Sequence, residues 1–230
     1  MATPTASPPL TWRTTVAAPT PADNITTLHQ EYFLCSSDPA LIDLDALHDA
    51  MSSDLLWWCK PLSRPQLVAM VNNSVCLAVY RTEAPESTTP GPMVGFARLI
   101  TDRVTFAYLT DVYILPAYQR RGLGAWMMRC LRELCQGSGP DGERNSIPLT
   151  EGWQDLRSLW LVASTESAAR MYMGALGAEE AARYRAQPGV PGSGMLLVEM
   201  PGPANGIRQH ASRNAALAAK QAEEAAEKKE

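Results

Sequence analysis

Hydrophobic positions recur with two different periods along this chain. Over residues 38–55, leucines and methionines return every three or four positions, which predicts an amphipathic helix. Residues 63–73 repeat this spacing, with Pro65 in the first turn, and predict a second helix. Three β-branched and aromatic runs then predict an antiparallel meander of strands. These runs lie at residues 75–80, 93–100 and 105–115.

Helices and strands alternate in the second half of the chain. The helical period predicts one helix over residues 125–136 and another over residues 165–176, which Gly177 closes. Apolar runs at residues 158–163 and 195–200 predict one strand between these helices and one after them. The order of helices, three strands, helix, strand, helix and strand is typical of an α+β domain.

The two ends of the chain differ in composition from the region between them. Residues 1–22 are rich in Pro, Thr, Ser and Ala, which predicts a disordered segment in which Trp12 is a candidate for opening an edge strand. Residues 205–230 combine Ala with Lys and Glu, which predicts a charged, solvated tail that can form a helix. We therefore expect one domain over residues 23–204.

Composition narrows the class of protein. The formal net charge is −4 at pH 7, so the chain has no broad basic field to attract nucleic acid or anionic lipid, and we expect neither as a partner. The five cysteines contain no C-x-x-C pair, and we find neither a signal peptide nor an apolar stretch of membrane-spanning length. These features predict a cytoplasmic protein with reduced thiols.

The most informative segment is residues 111–125, DVYILPAYQRRGLGA. It runs from a hydrophobic strand through a basic turn with two glycines into an amphipathic helix. Backbone N–H groups at a helix N-terminus are unpaired, and the helix dipole adds partial positive charge there, so this turn suits a pyrophosphate. Gly122 and Gly124 keep side chains away from the anion.

Spacing separates this segment from two other nucleotide-binding motifs. A Walker loop requires Lys and then Ser or Thr after its second glycine, where this chain has Ala125 and Trp126. A dinucleotide fingerprint requires a third glycine where this chain has Met127, and an acid after a second parallel strand. The predicted antiparallel order does not supply that strand. A glycine turn that only caps the helix is the simplest alternative.

With Gln119, Gly122 and Gly124, the segment resembles the Gln/Arg-x-x-Gly-x-Gly/Ala signature of the GNAT acetyltransferase superfamily. The likeness covers residues 25–201 and implies an α+β GNAT fold. In that fold a mixed, mostly antiparallel sheet is flanked by helices, and two central strands splay apart to hold acetyl-CoA. By this resemblance, pantetheine binds main-chain groups of Val112, Tyr113 and Ile114. The pyrophosphate is then wrapped by Gln119, Arg120, Arg121, Gly122, Leu123, Gly124 and Ala125.

The resemblance also implies catalytic residues. Tyr172 matches the family's tyrosine on the helix after the splayed strand, the general acid that protonates the leaving thiolate; a core role is the alternative. Asp111 is the leading candidate for the general base, because an acid in an apolar strand requires a reason. Its alternative role is to accept hydrogen bonds from neighbouring turns. Tyr108 is the second candidate, although strand alternation places it opposite Asp111 unless a bulge intervenes.

Two tryptophans mark the expected acceptor site. Trp57, Trp58 and Lys60 follow the first helix, where the family places its acceptor-binding loop, and paired indoles suit an aromatic or cation-binding pocket. Burial of one indole in the core is the alternative. Arg98 and Phe106 complete this pocket unless strand parity buries them.

These features together predict an acetyl-CoA-dependent N-acetyltransferase. We expect it to move an acetyl group to a primary amine of a small molecule by direct attack in a ternary complex, with no metal. Two alternatives stay open, a CoA-binding module without catalysis and a protein lysine or N-terminal acetyltransferase. Exposed strands also allow a homodimer.

Overall fold

The computed structural model describes residues 9–19, 28–137, 152–183 and 194–205. The strands in this part of the chain are β1 (Thr11–Pro19), β2 (Leu28–Ser36), β3 (Val75–Thr82), β4 (Met93–Thr101), β5 (Phe106–Ile114), β6 (Ser158–Ala163), β7 (Glu179–Arg183) and β8 (Leu196–Pro201). The helices are α1 (Leu44–Ser52), α2 (Arg64–Asn72), α3 (Leu123–Gln136) and α4 (Glu166–Leu176). Short 3₁₀ turns lie at Pro39–Leu41, Asp54–Leu56 and Pro116–Tyr118.

The strands form a single mixed sheet in the order β1-β2-β3-β4-β5-β6-β8-β7. Neighbouring strands are antiparallel except β5 and β6, whose parallel pairing runs from Phe106↔Ser158 to Leu109↔Leu161. Beyond that point β5 continues to Ile114 without pairing with β6. The α+β class, the mostly antiparallel sheet and the splayed central strands are therefore confirmed.

Helices cover both faces of the sheet. On one face, α3 and α4 bury an apolar stripe against the strands, so that Met127 and Leu176 share one core cluster with Leu109 of β5. On the other face, Leu47 of α1 packs in a second cluster with Phe96 of β4. Each fully buried aliphatic side chain contributes about 1.5–3 kcal/mol relative to exposure, so these two clusters fix the sheet between its helices.

The helix predicted over residues 38–55 is interrupted in the structure. Only Leu44–Ser52 is α-helical, and a 3₁₀ turn lies on each side. The Asp43 carboxylate caps α1 by accepting hydrogen bonds from the backbone N–H groups of Asp45 and Ala46, at 3.0 Å each. Ser53 ends the helix with extended backbone. Such side chains offer the backbone an alternative to helical hydrogen bonds, which leucine spacing does not register.

The predicted disorder is wrong for Thr11–Pro19, whereas the edge strand suggested at Trp12 is confirmed. These residues lie in the segment predicted to be disordered, but they form β1 and pair with β2 from Thr11↔Ser36 to Pro19↔Leu28. Trp12 is buried, and its indole N–H donates to Glu133 of α3 at 2.9 Å. Residues 1–8 and 20–22 of that segment lie outside the described residues, as do residues 206–230 of the predicted tail.

Candidate active site

A cleft of about 780 Å³ opens where β5 and β6 separate. Its walls are β5 from Tyr108 to Ile114, the residues that follow β6, and the first half of α4. Leu55 and two tryptophans from the turn after α1 form a further side. The cleft exists because the parallel ladder stops after four residue pairs while β5 continues, which leaves one edge of β5 without a strand partner among the described residues.

Most of the predicted site residues meet in this cleft. Those that line it are Trp57, Trp58, Tyr108, Asp111, Val112, Tyr113, Ile114, Gln119, Arg120 and Tyr172. The structure adds residues that sequence reasoning missed, among them Thr110, Ser164, Thr165, Ser167 and Met171. Four of these five residues follow β6 or lie on α4. The predicted gap between the strand that ends near residue 115 and the strand over residues 158–163 was the signal that could have identified them.

A β-bulge places Asp111 in the cleft. The register between β4 and β5 shifts between Phe96 and Arg98, so β5 carries one extra residue at this point. Asp111 has a φ of 52°, which is uncommon for a residue other than glycine. The bulge interrupts the alternation that would separate Asp111 from Tyr108, and both residues line the same cavity. The sequence allowed Tyr108 and Asp111 to face one site only if a bulge intervened, and that bulge is present.

Asp111 is paired with Arg98. Only 5% of Asp111 is exposed, Nε of Arg98 donates a hydrogen bond to its Oδ2 at 2.7 Å, and Nη2 of Arg98 lies 2.7 Å from the same oxygen in an ion pair. The Thr110 hydroxyl donates to Oδ1 at 3.2 Å. Asp111 therefore accepts hydrogen bonds, as in the alternative that we considered, although from neighbouring strand residues rather than from turns. Arg98 is directed at Asp111 and is not among the described residues that line the cleft.

Tyr172 faces the cleft from the middle of α4. Thr165 caps that helix by accepting a hydrogen bond from the N–H of Ala168 at 3.1 Å, and Gly177 closes it with a φ of 65°. The Tyr172 hydroxyl makes no hydrogen bond with any group in the described part of the chain. Burial raises the pKa of Tyr172 to about 12, so the phenol keeps its proton at neutral pH.

The predicted phosphate turn leads into an uncapped helix. Gly122 is the N-cap of α3 with a φ of 80°, and neither a side-chain cap nor an acidic residue occupies the first turn. The N–H of Trp126 donates to the Gly122 carbonyl at 2.9 Å. The three preceding N–H groups, of Leu123, Gly124 and Ala125, have no helical acceptor. Unpaired N–H groups and the positive end of the helix dipole at this position favour the binding of an anion.

The polar side chains of this turn have different roles. Gln119 donates from Nε2 to the Ile114 carbonyl at 2.8 Å and so fastens the turn to the end of β5. Arg121 forms an ion pair with Glu31 of β2 and lies over the Tyr118 ring at 5.2 Å. Of the two predicted phosphate-binding arginines, Arg120 is the one that lines the cleft.

The acceptor residues divide into two groups. Trp57 and Trp58 line the cleft edge to face, with ring centroids 5.8 Å apart, and are 48% and 45% exposed. The alternative that one of them is a core residue is therefore wrong. Lys60 and Phe106 are not among the described lining residues. Phe106 instead packs against Trp160, with ring centroids 5.6 Å apart.

Metal ligands and membrane-spanning helices are both absent from the described part of the chain. No described group of three or more His, Cys, Asp or Glu side chains is suited to holding a metal ion. None of the described helices has the length and apolar character needed to cross a membrane.

A sheet with splayed central strands, an anion site where one of them ends and a buried tyrosine on a facing helix define the GNAT class of acetyltransferase. The family model described as the acetyltransferase (GNAT) family matches residues 27–142. A Gibberella zeae protein named as an acetyltransferase is 36% identical over 180 residues, which span 74% of this chain and 90% of that protein. The chain belongs to the GNAT acetyltransferase family.

More distant relatives share part of the chain or its fold. A histone acetyltransferase of Glycine max is 31% identical over 115 residues, which cover 48% of this chain and 47% of that protein. Among solved structures, a chimeric spermidine N-acetyltransferase from Vibrio cholerae aligns with a TM-score of 0.52 and 13% identity. That alignment covers 74% of this chain and 95% of that chain. At such low identity it shows the common fold alone.

Proposed function

We propose that the protein is an acetyl-CoA-dependent N-acetyltransferase that acetylates a primary amine of a small molecule in a ternary complex. The observation that carries this proposal is the composition of the cleft. One cavity joins the unpaired edge of β5, Tyr172, and the turn that leads to the uncapped start of α3. Donor binding, acceptor binding and proton transfer can therefore take place in the same space.

The residues present fit the donor. The free N–H groups at the start of α3, together with the exposed Arg120, suit a pyrophosphate. The unpaired edge of β5 offers main-chain groups of Val112, Tyr113 and Ile114 to the amides of pantetheine. When bound, acetyl-CoA supplies a thioester whose carbonyl carbon accepts the amine nitrogen, and CoA leaves as the thiol.

Proton transfer falls to three side chains of the cleft. Asp111 receives a proton from the acceptor ammonium, directly or through water, and Tyr108 is the alternative base on the same wall. Tyr172 donates its phenolic proton to the departing sulfur. Burial raises the pKa of the Tyr172 phenol, and it also raises the pKa of a thiol. Because both pKa values move in the same direction, the proton transfer from the phenol to the sulfur stays feasible.

The edge-to-face pair of Trp57 and Trp58 favours a compact acceptor. Two half-exposed indoles at the rim of the cleft offer flat apolar surface and ring faces that attract a cation. Since the Glycine max relative is named as a histone acetyltransferase, a protein acceptor is the second candidate, and the experiment must include peptides.

The test is CoA release in a thiol-reporting assay with acetyl-CoA and a panel of small amines and peptides. We expect turnover with small amines. In Tyr172→Phe, kcat should fall about a hundredfold because the general acid is lost, while the KM for acetyl-CoA changes little. Tyr32→Phe, on β2 and outside the cleft lining, is the matched control.

Two outcomes would contradict the proposal. Binding of acetyl-CoA without turnover on any acceptor would show a non-catalytic CoA-binding module. Faster turnover on peptides than on every small amine would show a protein acetyltransferase.

A further inference from the structure

A second cavity of about 690 Å³ lies between α1 and the end of β5. Its wall is mostly apolar and includes Ala46 and Ala50 of α1. Leu55 and Tyr113 line both this cavity and the cleft, so the two spaces adjoin. The donor and proton-transfer roles proposed above leave this second cavity without an occupant.

Tyr113 lines the second cavity and carries a hydroxyl that a polar group of the occupant can use. Only 5% of this residue is exposed, and its hydroxyl makes no hydrogen bond with any group in the described ranges. Burial, and to a smaller extent the nearby Asp43, raises the pKa of Tyr113, so the phenol is neutral. Since no buried side-chain N or O atom of the described residues lacks a hydrogen-bond partner, this hydroxyl is accessible, and a ligand group at the junction of the two cavities can hydrogen-bond with it.

The mouth of the second cavity is negatively charged. Asp49 and Asp54 line it, and the Asp49 side chain is 87% exposed. No arginine or lysine occurs among the described residues of this lining. Such a mouth attracts cations and repels the phosphates of CoA. The charge therefore assigns the cavity to the acceptor rather than to the donor.

We propose that this second cavity is an acceptor subsite for a primary amine on an apolar spacer that ends in a second cationic group. The proposal rests on the proposed function. The reacting amine lies in the cleft, the spacer packs against Ala46 and Ala50, and the distal cation lies between Asp49 and Asp54. The Tyr113 hydroxyl accepts a hydrogen bond from the ligand where the two cavities join.

Calorimetric binding of diaminohexane, hexylamine and ethylamine to the CoA-bound protein tests this subsite directly. We expect diaminohexane to bind most tightly, with an advantage over hexylamine that falls as salt increases, because exposed charge pairs are screened. Ala46→Trp fills the cavity and should weaken diaminohexane binding about tenfold or more. Tyr113→Phe removes only the hydroxyl and should weaken it about threefold to tenfold.

The matched control is Val68→Trp, which adds the same indole to an exposed position of α2 outside the cavity lining and should leave binding unchanged. Thermal unfolding of each variant shows whether a loss of diaminohexane binding reflects misfolding. If Ala46→Trp is misfolded, diaminohexane binding to Tyr113→Phe decides whether the subsite exists. Acetyl transfer is measured in parallel. Diaminohexane binding that is lost in Ala46→Trp, but without transfer on any amine, would remove the proposed function and keep the subsite.

Three results would overturn the subsite. One is equal affinity of the wild type for all three amines, or no binding of any of them. Another is unchanged diaminohexane binding in both Ala46→Trp and Tyr113→Phe. The third is a rise in the KM for acetyl-CoA, or for a longer acyl-CoA, in Ala46→Trp while diaminohexane binding stays intact, which would assign the cavity to the donor.

Discussion

The two ends of the cleft are built in different ways. The donor end consists of one continuous stretch, from the edge of β5 through the Gly122 turn to the start of α3, and it offers mainly backbone groups. The acceptor end gathers side chains from distant segments, such as Trp58 after α1 and Tyr172 on α4. A backbone site tolerates change in most side chains, whereas an assembled site depends on each one. The acceptor end should therefore be the more sensitive of the two to substitution.

Breaking the Arg98–Asp111 pair should damage the acceptor end most. Arg98→Met leaves a buried carboxylate without its charge partner, so the free energy of unfolding should fall by about 3 kcal/mol. Urea denaturation of Arg98→Met, Asp111→Leu and the double variant measures this effect. The double variant should be more stable than the sum of the two single losses predicts. Strict additivity would show that the pair does not stabilise the bulge.

Alkaline pH should weaken the fold through Tyr172. The pKa of this phenol is raised in the folded protein to about 12 from its ordinary value of 10.0, so the unfolded chain loses the phenolic proton first. This contribution to stability is complete below pH 10 and is lost as the pH rises towards 12. Over that range Tyr172→Phe should lose less stability than the wild type, by about 2–3 kcal/mol. If the free energies of unfolding of the wild type and Tyr172→Phe fell equally between pH 10 and pH 12, the burial of Tyr172 would be contradicted.

Removing one indole should weaken acceptor binding without disturbing the donor. Trp58→Ala should raise the KM for the best amine about tenfold, because a large flat contact surface is lost. Trp160→Ala is the matched control, since this partly exposed tryptophan lies outside the cleft and packs against Phe106. Steady-state kinetics on both variants makes the comparison. An equal effect of the two substitutions would remove Trp58 from the acceptor site.

The donor end should respond to a change in backbone conformation. Gly122 has a φ of 80°, and no heavy atom lies within 4 Å of the point that a Cβ would occupy, so Gly122→Ala introduces strain rather than a clash. We expect stability to fall by about 1 kcal/mol and the KM for acetyl-CoA to rise several-fold. Gly122→Asn should recover part of both, because Asn tolerates this region better. Equal stability and equal KM values for Gly122→Ala and Gly122→Asn would show that the positive φ at this position is not the cause.

Segments with strong periodicity were predictable from the sequence. The strand expected over residues 158–163 is β6 (Ser158–Ala163), and the helix expected from residue 165 is α4 with Thr165 as its cap. The glycine turn that leads into α3 was predictable because its form depends on neighbouring residues, while its binding of phosphate stays a prediction. β7 had no such signal, since Glu179–Arg183 is exposed throughout and becomes a strand only by pairing with β8.

Long-range geometry was not predictable. The bulge at Asp111 depends on one positive φ in an otherwise regular strand, which no hydrophobic pattern encodes. The same shift brings Arg98 to Asp111, so a residue expected at the acceptor pocket supports a strand instead. Only Trp12 indicated an edge strand in β1, and the rest of that strand was missed because Thr and Ala dominate its sequence; Trp12 anchors the strand to α3 through Glu133.

If one cleft has two separable ends, a crossed kinetic comparison of one variant at each end should separate donor binding from acceptor binding. The KM values for acetyl-CoA and for the best small amine are measured in Gly122→Ala and in Trp58→Ala. We expect Gly122→Ala to raise the KM for acetyl-CoA and to leave the amine KM within about twofold, and Trp58→Ala to do the reverse. A rise in both KM values in both variants, or a reversed pattern, would contradict this separation.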